Sequence, residues 1–220
     1  MTVAALPVRP NADLLTLVQW LSPGFPIGAY AYSHGLEAAI AAGDVADAAA
    51  LQQWVGDVLE HGAGRTDAIL LAHARRPGAD HAALAALALA LAPSAERLQE
   101  TAELGAALTR ATDALRGTVS PALPFPVALG RAAQALALPP AQVIALALQG
   151  FAAALVSAAV RFMPLGQTDG QAVLAALHPL ILRLAAEAAA APLSAIGSAA
   201  AGADIASIRH ETMATRIFRT

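Results

Sequence analysis

With 220 residues, a net charge of −3 and no basic block, the chain is long enough to bury a core but lacks the electrostatic footprint of a nucleic-acid binder. All thirteen basic residues are arginine and cysteine is absent, which excludes a Schiff-base lysine, a Walker-type phosphate loop, disulfides and thiolate chemistry. Hydrophobic residues make up 57 % and charged residues 13 %, with alanine and leucine dominant and aromatics at 4 %, so close helix–helix contact is favoured over a thick aromatic core.

The first ten residues, Met1 to Pro10, lack the charged start and apolar centre of a secretory signal and read as a flexible lead-in. Asn11 or Asp13 can cap a first helix carrying Leu14, Leu15, Leu17, Val18 and Leu21, which Ser22-Pro23-Gly24-Phe25-Pro26-Ile27-Gly28 stops. A short helix after Ser33 ends at Gly43. Asp44 or Asp47 opens the next, with Leu51, Trp54, Val55, Val58 and Leu59 at helical spacing. Gly62 and Gly64 break that helix, and Thr66 or Asp67 begins another, closed by Arg75-Arg76-Pro77-Gly78.

Helices over Asp80–Leu91, Ser94–Leu115 and Val127–Leu138 follow, separated by Pro93 and by the turn region Ser120 to Pro126. Pro140 starts a central helix that runs to Arg161 or Phe162. Its apolar stretch, Val143 to Val160, sits at the lower length limit of a membrane span, about 18 residues, but is rich in alanine and interrupted by Gln149, Gly150 and Ser157. It reads as a buried core helix. Pro164 to Gln171 reads as a second irregular loop, followed by a helix kinked at His178-Pro179 and a less regular end. The sum is one all-α domain spanning residues 1–220, a bundle of eight to ten helices, with a tail from about residue 205.

Six histidines and sixteen carboxylates raise the question of a metal or an acid–base site. His34 with Glu37, His61 with Asp57, and His73 with Asp67 or Arg76 are the available pairs, yet neither HExxH nor paired ExxH appears. There is no G-x-S-x-G elbow, and Ser22 and Ser33 suit turns or caps. Glu96, Glu100 and Glu103, with Arg97, read as a solvent-facing stripe rather than paired catalytic carboxylates. The scarce polar and aromatic residues gather instead in the two Gly/Pro-rich loops and in the tail Arg209 to Thr220, where they suit either backbone capping or a partner surface anchored by tyrosine and arginine.

Taken in order, these segments resemble the UreF family of urease accessory proteins. Ser22, Pro23, Pro26, Gly28, Tyr32, Ser33, Gly35, Leu36 and Glu37 match the family pattern S-P-x-x-P-x-G-x-x-x-Y-S-x-G-L-E. Glu96-Arg97 with Gly105, Pro126 to Gly130, Ala159-Val160-Arg161 with Pro164 to Gln171, and finally His210-Glu211-Thr212 with Arg216-Ile217-Phe218-Arg219 are similar to its later motifs. Ala214 stands where the family commonly has tyrosine and Thr220 where it ends in serine. Ala31 replaces a frequent serine, and Phe125 an expected histidine.

The resemblance implies an all-helical, homodimeric, cytoplasmic protein without a catalytic site or bound cofactor. It implies a chaperone of nickel insertion that bridges a UreG-type GTPase to a UreD-type (UreH-type) partner on apo-urease, with nickel handled by the complex. It nominates partner contacts at Pro23, Tyr30, Tyr32 and Glu37, at Arg161, Gln167, Asp169 and Gln171, and at His210, Glu211, Arg216, Phe218 and Arg219. On this reading the tail is flexible alone and orders on the UreD-type partner, while Gln167 to Gln171 line an inner wall or hold the tail's root. A regulator of GTPase turnover acting through Arg161, and a helical hydrolase or ligand-binding bundle using His34, His61 or His73, are the competing readings.

Overall fold

A computed structural model describes residues 12–220, so the expected lead-in and the Asn11 cap lie outside the described residues. Among them are eleven α-helices and no strand: α1 (Ala12–Leu21), α2 (Leu36–Ala42), α3 (Ala48–His61), α4 (Ala63–Ala74), α5 (His81–Ala90), α6 (Ala95–Arg116), α7 (Phe125–Ala133), α8 (Pro140–Phe162), α9 (Gln167–Ala176), α10 (His178–Ala190) and α11 (Ala201–His210). The all-α reading holds.

The sequence places the helix ends by recognisable chemistry. Asp47, Asp80 and Ser94 accept hydrogen bonds from the first-turn amides of α3, α5 and α6, meeting donors that have no partner inside the helix. Pro140 occupies the first position of α8, where a missing N–H costs nothing. Three boundaries differ from expectation. α4 starts immediately after Gly62, which puts Thr66 and Asp67 inside the helix. Gly64 does not break α4; a Cβ there would sit 2.5 Å from Leu59 Cα, so it is the point where the α3–α4 corner closes. α7 ends at Ala133, where the Arg75 guanidinium caps the exit by donating to the carbonyls of Ala133 (3.2 Å), Leu136 (2.8 Å) and Leu138 (2.5 Å). The helix after Gly166 is bent by 41° between α9 and α10, at the expected His178-Pro179 position.

α8 and α4 are the central helices. α8 packs against α10, α9, α2, α4 and α3, and α4 against α7, α10, α3 and α5. The core joins Leu17, Leu51, Leu59, Ile69, Leu129, Ile144, Leu155 and Leu184 with many buried alanines. α8 is the single described helix long and apolar enough to cross a membrane; it is built into this core on one side. Small residues set the helix spacing. At Gly105 a Cβ would lie 1.9 Å from the Leu123 carbonyl, so α6 accepts the segment leading into α7 only where the side chain is a hydrogen. α11 lies across α2 and the start of α6, which brings the chain's last residues back to the Ser22–Glu37 segment.

Candidate functional site

The Ser22–Glu37 segment, the acidic side of α6 and the tail meet along one seam. The turn into α2 is made by His34 (φ 60°) and Gly35 (φ 79°), both in the left-handed region. A Cβ on Gly35 would lie 2.6 Å from the Ser207 amide, so this turn is what lets α11 sit on the start of α2. Main-chain hydrogen bonds then pair the two chain regions, from Ser33 N to Thr220 O (2.8 Å) and from Arg219 N to Ala31 O (2.8 Å), with the Ser33 hydroxyl also on Thr220 O.

Glu37 is the seam's centre. Its side chain is buried, and it accepts from the amides of Ile217 (2.7 Å) and Phe218 (2.9 Å) while facing His210 Nε2 at 3.1 Å. Three acceptor contacts on one enclosed carboxylate fit an ionised group. Glu96, in the first turn of α6, takes Arg216 Nη1 (2.5 Å) on one oxygen and faces His210 Nδ1 (2.7 Å) with the other. Glu211 turns to α6 as well, accepting from Ala95 N (2.7 Å) as an external cap where the helix dipole favours negative charge.

One turn along α6, Arg97 forms a buried ion pair with Glu100, and the Thr220 hydroxyl donates to Glu100 (2.8 Å). Burial alone would raise the Glu100 carboxyl, but the Arg97 guanidinium beside it draws it down to about 2. His34 is pushed below the ordinary histidine range by burial and by the Arg97 charge. Its Nδ1 lies 3.8 Å from Glu100, too far for a hydrogen bond, and its ring packs edge-on against Phe151. The outer end is more open. Tyr32 donates to Glu103 (2.7 Å), and Arg219 pairs with Glu103 (2.8 Å) and lies over the Tyr32 ring. Burial and the Glu103 hydrogen bond raise the Tyr32 hydroxyl, while Tyr32 and Gln99 hold Glu103 low.

Beneath the seam lies a cavity of about 110 Å³ whose lining includes Tyr32, His34, Asp67, Arg97, Glu100 and Thr101 among apolar side chains from α4, α7 and α8. Asp67 keeps only a partial exposure that faces this cavity and a smaller neighbour, and burial raises its carboxyl to about 7 against the pull of Arg97.

The nominated residues divide accordingly. Tyr32, Glu37, His210 and Phe218 are buried in the seam, and Glu211 is half-buried beside it. Tyr30, Arg216 and Arg219 are exposed on it, as is Arg161, which lies over the Phe218 ring and donates to Tyr30 O (3.0 Å). Pro23 is exposed in the first loop. Gln167, Asp169 and Gln171 are not in a loop: the irregular segment is only Met163–Gly166, and the chain turns helical at Gln167 with Asp169 in the first turn of α9, where its charge suits the helix start. All three are exposed; the tail's root is held by Glu37 and Glu96 instead. Nor is the tail a loose arm, since Phe218 and Thr220 are buried against the chain's own residues.

The acidic residues of α6 are the main omission of sequence reasoning. Glu100 is buried and Glu96 nearly so, not solvated: Arg97 pairs with Glu100 within α6, and the tail adds the Thr220 hydroxyl on Glu100 and Arg216 on Glu96. The available signal was charge complementarity: three acids on one helix side against Arg216, Arg219 and His210 in the tail. His34, His61 and His73 do not converge. His34 faces the cavity, His61 is exposed at the end of α3, and His73 bonds the Ala191 carbonyl (2.9 Å). Among the described residues no group of three or more His, Asp or Glu side chains is placed to hold a metal ion.

The UreF family model matches residues 45–178, the helical body with α6, and stops short of the seam's two outer halves, Ser22–Glu37 and the tail. The curated relatives extend over both halves. Urease accessory protein UreF from Cereibacter sphaeroides (strain KD131) is 66 % identical over 210 residues, covering 96 % of this chain and all of that protein. Those of Roseobacter denitrificans and Paracoccus denitrificans are 53 % and 52 % identical, covering 100 % and 97 % of this chain and 100 % and 99 % of their own lengths. Fold, motif order and full-length similarity agree: the chain belongs to the UreF family.

Proposed function

We propose that this protein serves urease maturation as a non-catalytic accessory chaperone in the cytoplasm. It joins a UreG-type GTPase to a UreD/UreH-type partner on apo-urease, so that nickel, the cargo, is inserted by the assembly. Family membership supports the role in urease maturation. The observation that carries the bridging reading is the seam: a rigid bed of buried ion pairs that holds exposed anchors, Tyr30, Arg216, Ile217 and Arg219, in fixed positions. Tyrosine and arginine on a pre-ordered backbone lose little freedom on association, which is what a hot spot needs. Half-exposed apolar residues of α8 such as Leu146, with exposed Leu15 and Val18 of neighbouring α1, support pairing of two copies through helix faces.

The test is capture of a purified UreD-type partner. Removing Arg209–Thr220 would also strip the buried carboxylates of their partners, so a surface variant is cleaner. Tyr30→Ala combined with Ile217→Ser is expected to weaken capture by about tenfold or more while leaving the melting temperature unchanged. Undiminished capture would reject the tail as the contact. Arg161 is engaged with Phe218, Tyr30 and Ser157, which supports bridging over delivery of that arginine to a GTPase site.

A further inference from the structure

His210, the last residue of α11, has no exposed surface, and both ring nitrogens face carboxylate oxygens: Nδ1 on Glu96 at 2.7 Å and Nε2 on Glu37 at 3.1 Å. A neutral imidazole has one N–H and one lone pair. It could serve only one of these contacts and would set lone pair against lone pair in the other. Glu37 is committed as an acceptor on both oxygens by Ile217 N and Phe218 N, and Glu96 is held in its charged form by Arg216 and by its place at the start of α6. The charged groups facing the ring are therefore Glu37 from α2, Glu96 from α6 and, through Glu96, Arg216 from the tail. Two carboxylates balance one guanidinium and leave room for one more positive charge.

We infer that His210 is held doubly protonated, as an imidazolium bridging Glu37 and Glu96, and that this one proton fixes the tail in place. His210 is a positioning residue. By tying Glu37 to Glu96 it sets the carboxylate from which the Ile217 and Phe218 amides hang, and so the pose of the exposed tail residues. Loss of the proton turns one of the two contacts repulsive and loosens those amides. The inference concerns the tail's own seat and stands whichever partner the tail meets.

Two measurements on the full chain test it. Nitrogen-15 NMR of the histidine ring at neutral pH should show both His210 nitrogens protonated. A single protonated nitrogen, with the Ile217 and Phe218 amides still protected from exchange, would overturn the inference. Amide protection of Ile217 and Phe218, corrected for intrinsic exchange, should fall by about tenfold or more between about pH 6 and about pH 9. In Glu96→Gln the carboxamide can donate to an unprotonated Nδ1, so protection should become independent of pH. An equal fall in both proteins, or none in the wild type, also overturns it. If Glu96→Gln fails to fold, the ring-nitrogen measurement on the wild-type chain still decides.

Discussion

The helical body and the tail seam are held together by opposite means. Around α4, α7 and α8 the packing is alanine against leucine, closed at Gly64, Gly105 and Gly130 by contacts that leave no space for a methyl group. Along the seam the same molecule buries Glu37, Arg97, Glu100 and His210: Arg97 and Glu100 pair within one turn of α6, while Glu37 and His210 meet from 173 residues apart. Apolar burial is non-directional and tolerates small adjustment, whereas a buried ion pair fixes geometry and penalises any missing member. The body thus supplies stability and the seam supplies position, which is the division a protein needs if it works by presenting a surface.

The contrast breaks most visibly at Arg97. Arg97→Leu leaves Glu100 buried without its ion pair and should cost about 3–5 kcal/mol in urea denaturation. Gly105→Ala drives a methyl group into the Leu123 carbonyl; it should cost about 3 kcal/mol, read the same way, and shows that the body too has positions without tolerance.

Asp67 sharpens the comparison through pH. Its folded-state carboxyl titrates near 7, above the ordinary value, so the folded chain binds a proton that the unfolded chain has released. Its contribution to stability is therefore full at acid pH and lost as pH rises through about 7. Asp67→Asn should gain about 1–2 kcal/mol at pH near 8, discounted for the cavities that Asp67 faces, and nothing below about pH 4, by thermal melts at both pH values. Glu100 works the other way: held at about 2, it stabilises above the ordinary carboxylate range and loses that contribution as pH falls through about 2. The smallest expected effect is Arg219→Ala. Its ion pair with Glu103 is about half exposed, so stability should change by less than about 1 kcal/mol while partner capture falls.

Most of the body was legible in the sequence because its signals are local. Asp47, Asp80, Ser94, Gly43 and Pro140 mark helix ends through groups within four residues, and α3, α6 and α8 lie close to where periodicity and caps put them. The seam was legible only in its ingredients. Ser33, Glu37, His210, Arg216 and Phe218 stood out, but nothing local distinguishes a solvated Glu96–Glu100–Glu103 stripe from one covered by the tail. Gln167 to Gln171 misled for the reverse reason. Gly, Thr, Asp and Gln side by side suggest a loop, yet Asp169 at a helix start and the buried Val173 and Leu174 beyond it favour α9.

The 22 residues of α6 have a bearing on how far apart bound objects can be. Glu211 and Arg216 engage its first turn, and at its last residue Arg116 lies over the Trp20 ring of α1, 4.8 Å from the centroid. At 1.5 Å per residue the helix is about 33 Å long and has no internal proline to flex it. It is a ruler, and whatever docks at one end is kept at a constant remove from whatever docks at the other.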